Sequence, residues 1–130
     1  QHWPYDGPHS ADTVESAAAV VRDLVRYMNN ATWNPRRLSG PGLYRVLSNL
    51  NSAVYGLDQL LKRLGTVTET LAEDPTLYDD RRDRPAEQTA VAINAELAKA
   101  RDALGGLSTH FEQAASLSSH LGHDTPRRTS

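Results

Sequence analysis

A long apolar repeat in the middle of the chain constrains the fold more than any other feature. Apolar residues recur there in steps of three and four, and some form adjacent pairs such as Val46/Leu47 and Leu60/Leu61. Such steps place side chains on one side of an α-helix, and the pairs widen that side to the width buried in a bundle. The sequence therefore predicts a long helix over residues 43–73. Its repeat consists of Leu43, Val46, Leu47, Leu50, Ala53, Val54, Leu57, Leu60, Leu61, Leu64, Val67 and Leu71.

Two further repeats predict one shorter helix before this segment and one long helix after it. Asp12 and Glu15 have the spacing of a capping box, which predicts a helix over residues 12–30. Pro85 suits the first turn of a helix, and the repeat after it predicts a helix over residues 86–121. The first repeat is Val14, Ala17, Ala18, Val21, Leu24, Val25 and Met28, and the second is Ala90, Ile93, Leu97, Ala100, Leu104, Leu107, Phe111, Ala114 and Leu121. The predicted fold is all-α, an antiparallel bundle of three helices, two long and one short.

Glycines leave alternatives open inside both long helices. Gly65 costs about 1 kcal/mol relative to alanine in a helix and could end the second helix, leaving residues 66–73 as a short fourth helix. The adjacent Gly105 and Gly106 predict either a kink or a point of close contact in the third helix.

The ends of the chain differ in composition from its helical middle. Residues 1–11 are rich in proline, glycine and aromatic side chains, which predicts a flexible arm. Residues 122–130 are polar, and we expect a disordered tail. A chain of 130 residues fits one domain, which we place over residues 12–121.

The predicted helix lengths leave part of the bundle uncovered. At 1.5 Å per residue the long helices reach roughly 45 to 55 Å and the first helix only about 28 Å. A second copy of the chain, a fourth helix after Gly65, the arm with Trp3 and Tyr5, or another protein could cover the remainder. We favour a second copy, giving a homodimer. The candidate interface residues are Leu57, Leu60, Leu61, Leu64, Leu104, Leu107 and Phe111.

No motif in the sequence predicts catalysis or a cofactor site. The chain has no cysteine, no glycine-rich phosphate-binding loop and no activated-serine motif. His120 and His123 have a spacing that could present two metal ligands, but a zinc site needs three or four. The acidic residues near the end of the second helix predict a solvated surface: Glu69, Glu73, Asp74, Asp79 and Asp80. Residues 79–84 mix three aspartates with three arginines, which predicts an exposed turn. We predict that the protein is not an enzyme and holds no metal or cofactor.

Positive charge gathers around the predicted start of the second helix, at Arg36, Arg37 and Arg45. Cations oppose the dipole at a helix N-terminus, so a phosphate or a carboxylate is an expected neighbour. These arginines support an alternative function, a nucleic-acid-binding accessory protein. The net charge of -2 argues against it.

Three short runs in the first two helices carry a resemblance. They are Leu24-Val25-Arg26-Tyr27-Met28-Asn29-Asn30-Ala31-Thr32, Leu43-Tyr44-Arg45-Val46-Leu47 and Leu57-x-x-Leu60-Leu61. With the Ala-rich third helix, they resemble small helical proteins of actinobacteria such as Streptomyces. The resemblance implies a bacterial cytosolic setting and names no activity.

Secreted helical hairpins of the WXG type provide a further alternative, since they are similar in length and dimerise. The chain departs from that pattern. It has Trp33-Asn34-Pro35 and Ser39-Gly40-Pro41-Gly42 where Trp-x-Gly is expected, and no Tyr-x-x-x-Asp/Glu export signal near its end.

The leading prediction is a cytoplasmic, non-enzymatic interaction module that uses its long helices, with no membrane segment.

Overall fold

The computed structural model describes Gly7 and residues 9–125 of the chain. Three helices occur in this part: α1 (Ala11–Ala31), α2 (Gly40–Ala72) and α3 (Ala86–Ser118). No strand is found in the residues described. The all-α prediction, with two long helices and one shorter one, is confirmed.

The chain divides into two compact units, Gln1–Ser39 and Gly40–Ser130, where the sequence predicts one domain. The first unit contains α1, none of whose residues is buried. The second contains α2 and α3, which contact each other extensively. Of the helices in the described part, none combines the length and hydrophobicity needed to cross a bilayer.

A capping box begins α1, but it is not the one predicted from Asp12 and Glu15. Ser10 is the N-cap: its Oγ accepts a hydrogen bond from the Thr13 N–H at 3.2 Å, and Thr13 Oγ1 accepts one from the Ser10 N–H at 3.0 Å. Ser10 has the extended backbone of an N-cap residue, and the helix begins at Ala11. Asp12 is therefore already helical and cannot be the N-cap. Asp12 lies in the first turn, where a negative charge favours the helix dipole. The arm residues Trp3 and Tyr5 lie outside the described residues.

Helix α2 begins earlier than predicted and does not break at Gly65. It starts at Gly40, which places Pro41 in the first turn, where its missing N–H needs no partner. Gly65 lies against α3, and a Cβ added there would be 3.4 Å from Asn94 Oδ1. Packing at this position offsets the low helix propensity of glycine. The predicted alternative of a short fourth helix is therefore wrong.

Helix α3 continues through Gly105 and Gly106 and ends at Ser118, three residues before the predicted end. A Cβ added at either glycine would meet no atom within 4 Å. The interpretation of these glycines as a point of close contact is therefore wrong. At the end of the helix the hydroxyls of Ser118 and Ser119 donate to backbone carbonyls one turn earlier, at 2.8 and 2.6 Å. Such bonds compete with continuation of the helix.

Helices α2 and α3 run antiparallel to each other. The Gly40 N–H at the start of α2 donates to His123 Nε2, beyond the end of α3, at 2.8 Å. Near the middle of both helices, the Arg101 Nε donates to Asp58 Oδ1 at 3.0 Å. The start of α2 thus meets the end of α3, as in an antiparallel hairpin.

The segment after α3 contacts the start of α2 through Leu121 and through His123, which belongs to the predicted disordered tail. A Cβ added to Gly40 would lie 2.9 Å from Leu121 Cβ and 3.4 Å from His123 Nε2. The missing side chain of Gly40 allows this close approach. The imidazole of His123 therefore meets the first N–H of α2, and the anion expected near the arginines stays a prediction. Residues 126–130 lie outside the described residues.

We predict that Gly105→Ala and Gly106→Ala each raise the free energy of unfolding by about 1 kcal/mol, because alanine favours the helix and the added methyl groups meet open space. Urea unfolding at fixed protein concentration, followed by circular dichroism, measures the change. A lower free energy in either variant would contradict the open surroundings of that glycine.

The substitution Gly40→Ala should have the opposite effect. Its methyl group would overlap Leu121 Cβ, so we expect a loss of about 1 to 3 kcal/mol in the free energy of unfolding. Gly105→Ala is the matched control, since it adds the same methyl group without a contact. Equal effects of the two substitutions would contradict the packing of residues 121–123 against Gly40.

Candidate interaction surface

The side of α2 that faces α3 is only partly apolar. Asp58 accepts two hydrogen bonds from the Arg101 guanidinium, at 3.0 and 3.3 Å, which lower the pKa of Asp58 and raise that of Arg101. The Oδ1 atoms of Asn51 and Asn94 are buried without a hydrogen-bond partner. Few large apolar groups are therefore enclosed by the hairpin. The buried apolar residues of the described part are Val54, Ala90, Leu104 and Ala115.

A second stripe on α2 lies beside the one that faces α3, and it is apolar throughout. It also advances in steps of three and four, so it occupies one side of the helix. Its members are exposed or half-buried: Leu43, Val46, Leu50, Ala53, Leu57, Leu60, Leu64, Val67 and Leu71. A sparser apolar stripe runs along α3 in steps of seven and is likewise exposed or half-buried: Ile93, Ala100, Leu107 and Ala114. Leu121, just beyond the end of α3, is also exposed.

The two stripes lie on the same side of the hairpin, and together we name them the front face. Leu71 of the first stripe and Ile93 of the second line one cavity. The opposite side of the hairpin has a groove lined in part by polar and charged side chains. Helix α2 contributes Tyr55 and Asp58 to it, and α3 contributes Glu112. The apolar surface of the hairpin is therefore concentrated on its front.

Four of the seven predicted interface residues belong to the front face and are exposed. Their exposed fractions are 41% for Leu57, 46% for Leu60, 37% for Leu64 and 45% for Leu107. Leu61 and Phe111 are half-buried. Leu104 is only 9% exposed, because it points into the contact between α2 and α3, so its assignment to an outer interface is corrected.

The connection between α2 and α3 folds over one end of the front face. Leu77 and Tyr78 line the same cavity as Leu71 and Ile93. The chain itself therefore lines this end of the face, next to the turn of the hairpin. The exposed leucines farther along the two helices have no such neighbour in the connection.

Asp79 fixes this connection in place, which the sequence did not predict. Its side chain is 3% exposed and accepts hydrogen bonds from Arg81 Nη2 at 2.6 Å and from Thr89 Oγ1 of α3 at 2.5 Å. The bonds from Arg81 and then Thr89 hold the pKa of Asp79 far below its usual range. The prediction of an exposed, solvated turn is wrong at Asp79. The available signal was the Asp-x-Arg spacing, in which the Arg81 N–H also donates to Asp79 Oδ1.

The other acidic residues of this region remain at the surface. Asp74 is exposed, and the side-chain and backbone hydrogen bonds from Thr76 lower its pKa. Glu69, Glu73 and Asp80 are exposed as well. These carboxylates belong to the surface around the turn of the hairpin.

The three predicted anion contacts fall into different units of the chain. Arg36 and Arg37 belong to the first unit, and Arg45 lies on α2 in the second. All three are exposed. The backbone N–H of Arg36 donates a hydrogen bond to Asn34 Oδ1 at 3.0 Å. This bond closes a turn in the segment before α2.

Within the part of the chain that the structure describes, no group of three or more His, Asp or Glu side chains is placed to hold a metal ion. His123 instead accepts the Gly40 N–H. The chain matches no protein-family model, no curated protein and no solved structure. A function for the chain is therefore inferred from the front face.

We predict that Asp79→Asn lowers the melting temperature by several degrees at neutral pH, because it replaces the carboxylate held by Arg81 and Thr89. Asp80→Asn is the matched control, since Asp80 is exposed. The folded pKa of Asp79 is lowered, so its stabilising effect is complete above the ordinary value of 3.8 and is lost as the pH falls through the folded value. Melting curves between neutral and strongly acidic pH should show the two proteins converging in acid. Equal melting of both variants at neutral pH would refute this role.

Proposed function

We propose that this protein is a non-enzymatic helical interaction module that associates with a second copy of itself through the front face. One observation carries the proposal: Leu57, Leu60, Leu64 and Leu107 are each between 37% and 46% exposed on a single side of the hairpin. Single exposed leucines are common on protein surfaces, but a continuous row of them is typical of an interaction site.

The dimensions of the front face favour a second hairpin as its partner. Each helix has 33 residues, so the face is about 50 Å long and two helices wide. A partner must offer an apolar surface of similar length and width. A second copy has such a surface, and two hairpins joined by these faces form a four-helix bundle.

The polarity of the contact between α2 and α3 also supports association. Asn51, Asp58, Asn94 and Arg101 occupy positions that apolar side chains take in most bundles. Association would bury the leucines of the front face and stabilise the folded hairpin by mass action. The resemblance to actinobacterial helical proteins favours the bacterial cytosol as the place where this dimer acts.

The test measures the solution mass of the full chain and of Leu60→Glu by light scattering after size exclusion. We expect a mass near twice 14.3 kDa for the unchanged chain and a shift towards 14.3 kDa for Leu60→Glu, because a buried carboxylate opposes association. Val91→Glu is the matched control: Val91 is 70% exposed on α3 and lies outside the front face. Circular dichroism verifies that both variants remain helical.

The result that would contradict the proposal is a chain that stays monomeric over a wide range of concentration. A dimer that Leu60→Glu and Val91→Glu leave equally intact would also contradict it, since the association would then use another surface.

A further inference from the structure

Each helix contributes one outer edge of the front face, and residues along that edge are spaced seven positions apart. Beside the apolar stripe of α2, on the side away from α3, lie exposed residues that recur every seven positions: Asn49, Gly56 and Arg63. Beside the stripe of α3, on the side away from α2, lies a second exposed set: Glu96, Ala103 and His110. A step of seven returns a helical side chain to nearly the same side of the helix. We name these sets the α2 edge and the α3 edge.

The two edges are aligned by the register of the hairpin. Gly65 of α2 lies beside Asn94 of α3. Arg63 precedes Gly65 by two residues and Glu96 follows Asn94 by two, so in an antiparallel pair Arg63 and Glu96 lie at the same level along the helices. The ion pair between Asp58 and Arg101 has the same register. Successive steps of seven keep the remaining members of the two edges level with one another.

From this alignment we infer how two copies pair, an inference that rests on the self-association proposed above. The two hairpins are related by a two-fold axis parallel to their helices, so that α2 of each copy lies against α3 of the other and Arg63 forms an ion pair with the partner's Glu96. An axis in this direction introduces no shift along the helices. Residues at the same level on the α2 edge and the α3 edge therefore meet across the interface, twice in each dimer.

All positions along the edges are compatible with this arrangement. Arg63 meets an opposite charge, Gly56 meets the small Ala103, and Asn49 meets the polar His110. The arrangement has no adjustable register, so this agreement is not obtained by sliding one copy along the other. Every helix also has antiparallel neighbours, as in common four-helix bundles.

A competing two-fold axis, perpendicular to the helices, would place α2 against α2 and α3 against α3. Arg63 would then face the α2 edge of the other copy, and Glu96 would face its α3 edge. The pairing of Arg63 with Glu96 would be lost. Glu96 is accessible for a new contact, since its present one is a surface pair with Lys99 at 3.2 Å in which both side chains are 73% exposed.

Charge reversal in separate chains tests the arrangement. Arg63→Glu alone and Glu96→Arg alone each set like charges against each other twice in a dimer, so we expect each variant to dissociate about tenfold more readily than the unchanged chain. An equal mixture of the two variants should recover the affinity of the unchanged chain. In the mixed dimer both sites again hold opposite charges. Sedimentation equilibrium at low salt measures the dissociation constants of the unchanged chain, the two variants and their mixture.

Lys62→Glu is the matched control, because it reverses the charge of the neighbouring residue, which lines a groove behind the front face. It should leave the dissociation constant within about twofold of that of the unchanged chain. High salt should weaken the difference between the single variants and their mixture, as expected for exposed charges.

The outcomes separate this inference from the proposed function. If the unchanged chain is a dimer and the mixture dissociates as readily as either variant alone, the arrangement is wrong while self-association stands. If the unchanged chain is a monomer, both are wrong. Recovery in the mixture, with the control unaffected, supports the pairing of α2 with the partner's α3.

Discussion

The structure of the hairpin depends on how α2 divides its residues between two neighbouring sides. The side that faces α3 includes Asn51, Asp58 and Gly65, while the side next to it carries leucines along its length. The Asp58–Arg101 ion pair contributes little stability at a partly exposed position, but it joins two defined residues and so favours one register. The intramolecular contact therefore aligns the two helices, and most of the large apolar side chains remain outside it.

This division links the register of the hairpin to its proposed association. Since α3 meets the side of α2 that carries Asn51 and Asp58 among apolar residues, the exposed leucines of both helices share one open face. The same register brings Arg63 and Glu96 level on opposite edges of that face. The connection after α2, held by Asp79, lines only the end nearest the turn. The rest of the face has the length and width that a second hairpin needs to form a four-helix bundle.

Sequence periodicity predicted the three helices because each carries an apolar repeat long enough to define one side. It failed where a single contact decides the outcome. Gly65 remains helical because it packs beside Asn94, and Leu104 is buried because α3 turns it towards α2. Asp79 is held by Thr89, ten residues away, which no local pattern reveals. A periodic stripe shows that one side of a helix is apolar, but the neighbouring helix decides which part of that side stays open.

The measurement that tests the central claim most directly is the melting temperature of the unchanged chain as a function of its concentration. If the front faces of two copies stabilise each other, dilution shifts the equilibrium towards separate hairpins and the melting temperature falls with it. The account predicts a steady rise in melting temperature across at least a hundredfold increase in concentration. A melting temperature that stays constant over that range would contradict it, because the hairpin would then be stable without a second copy.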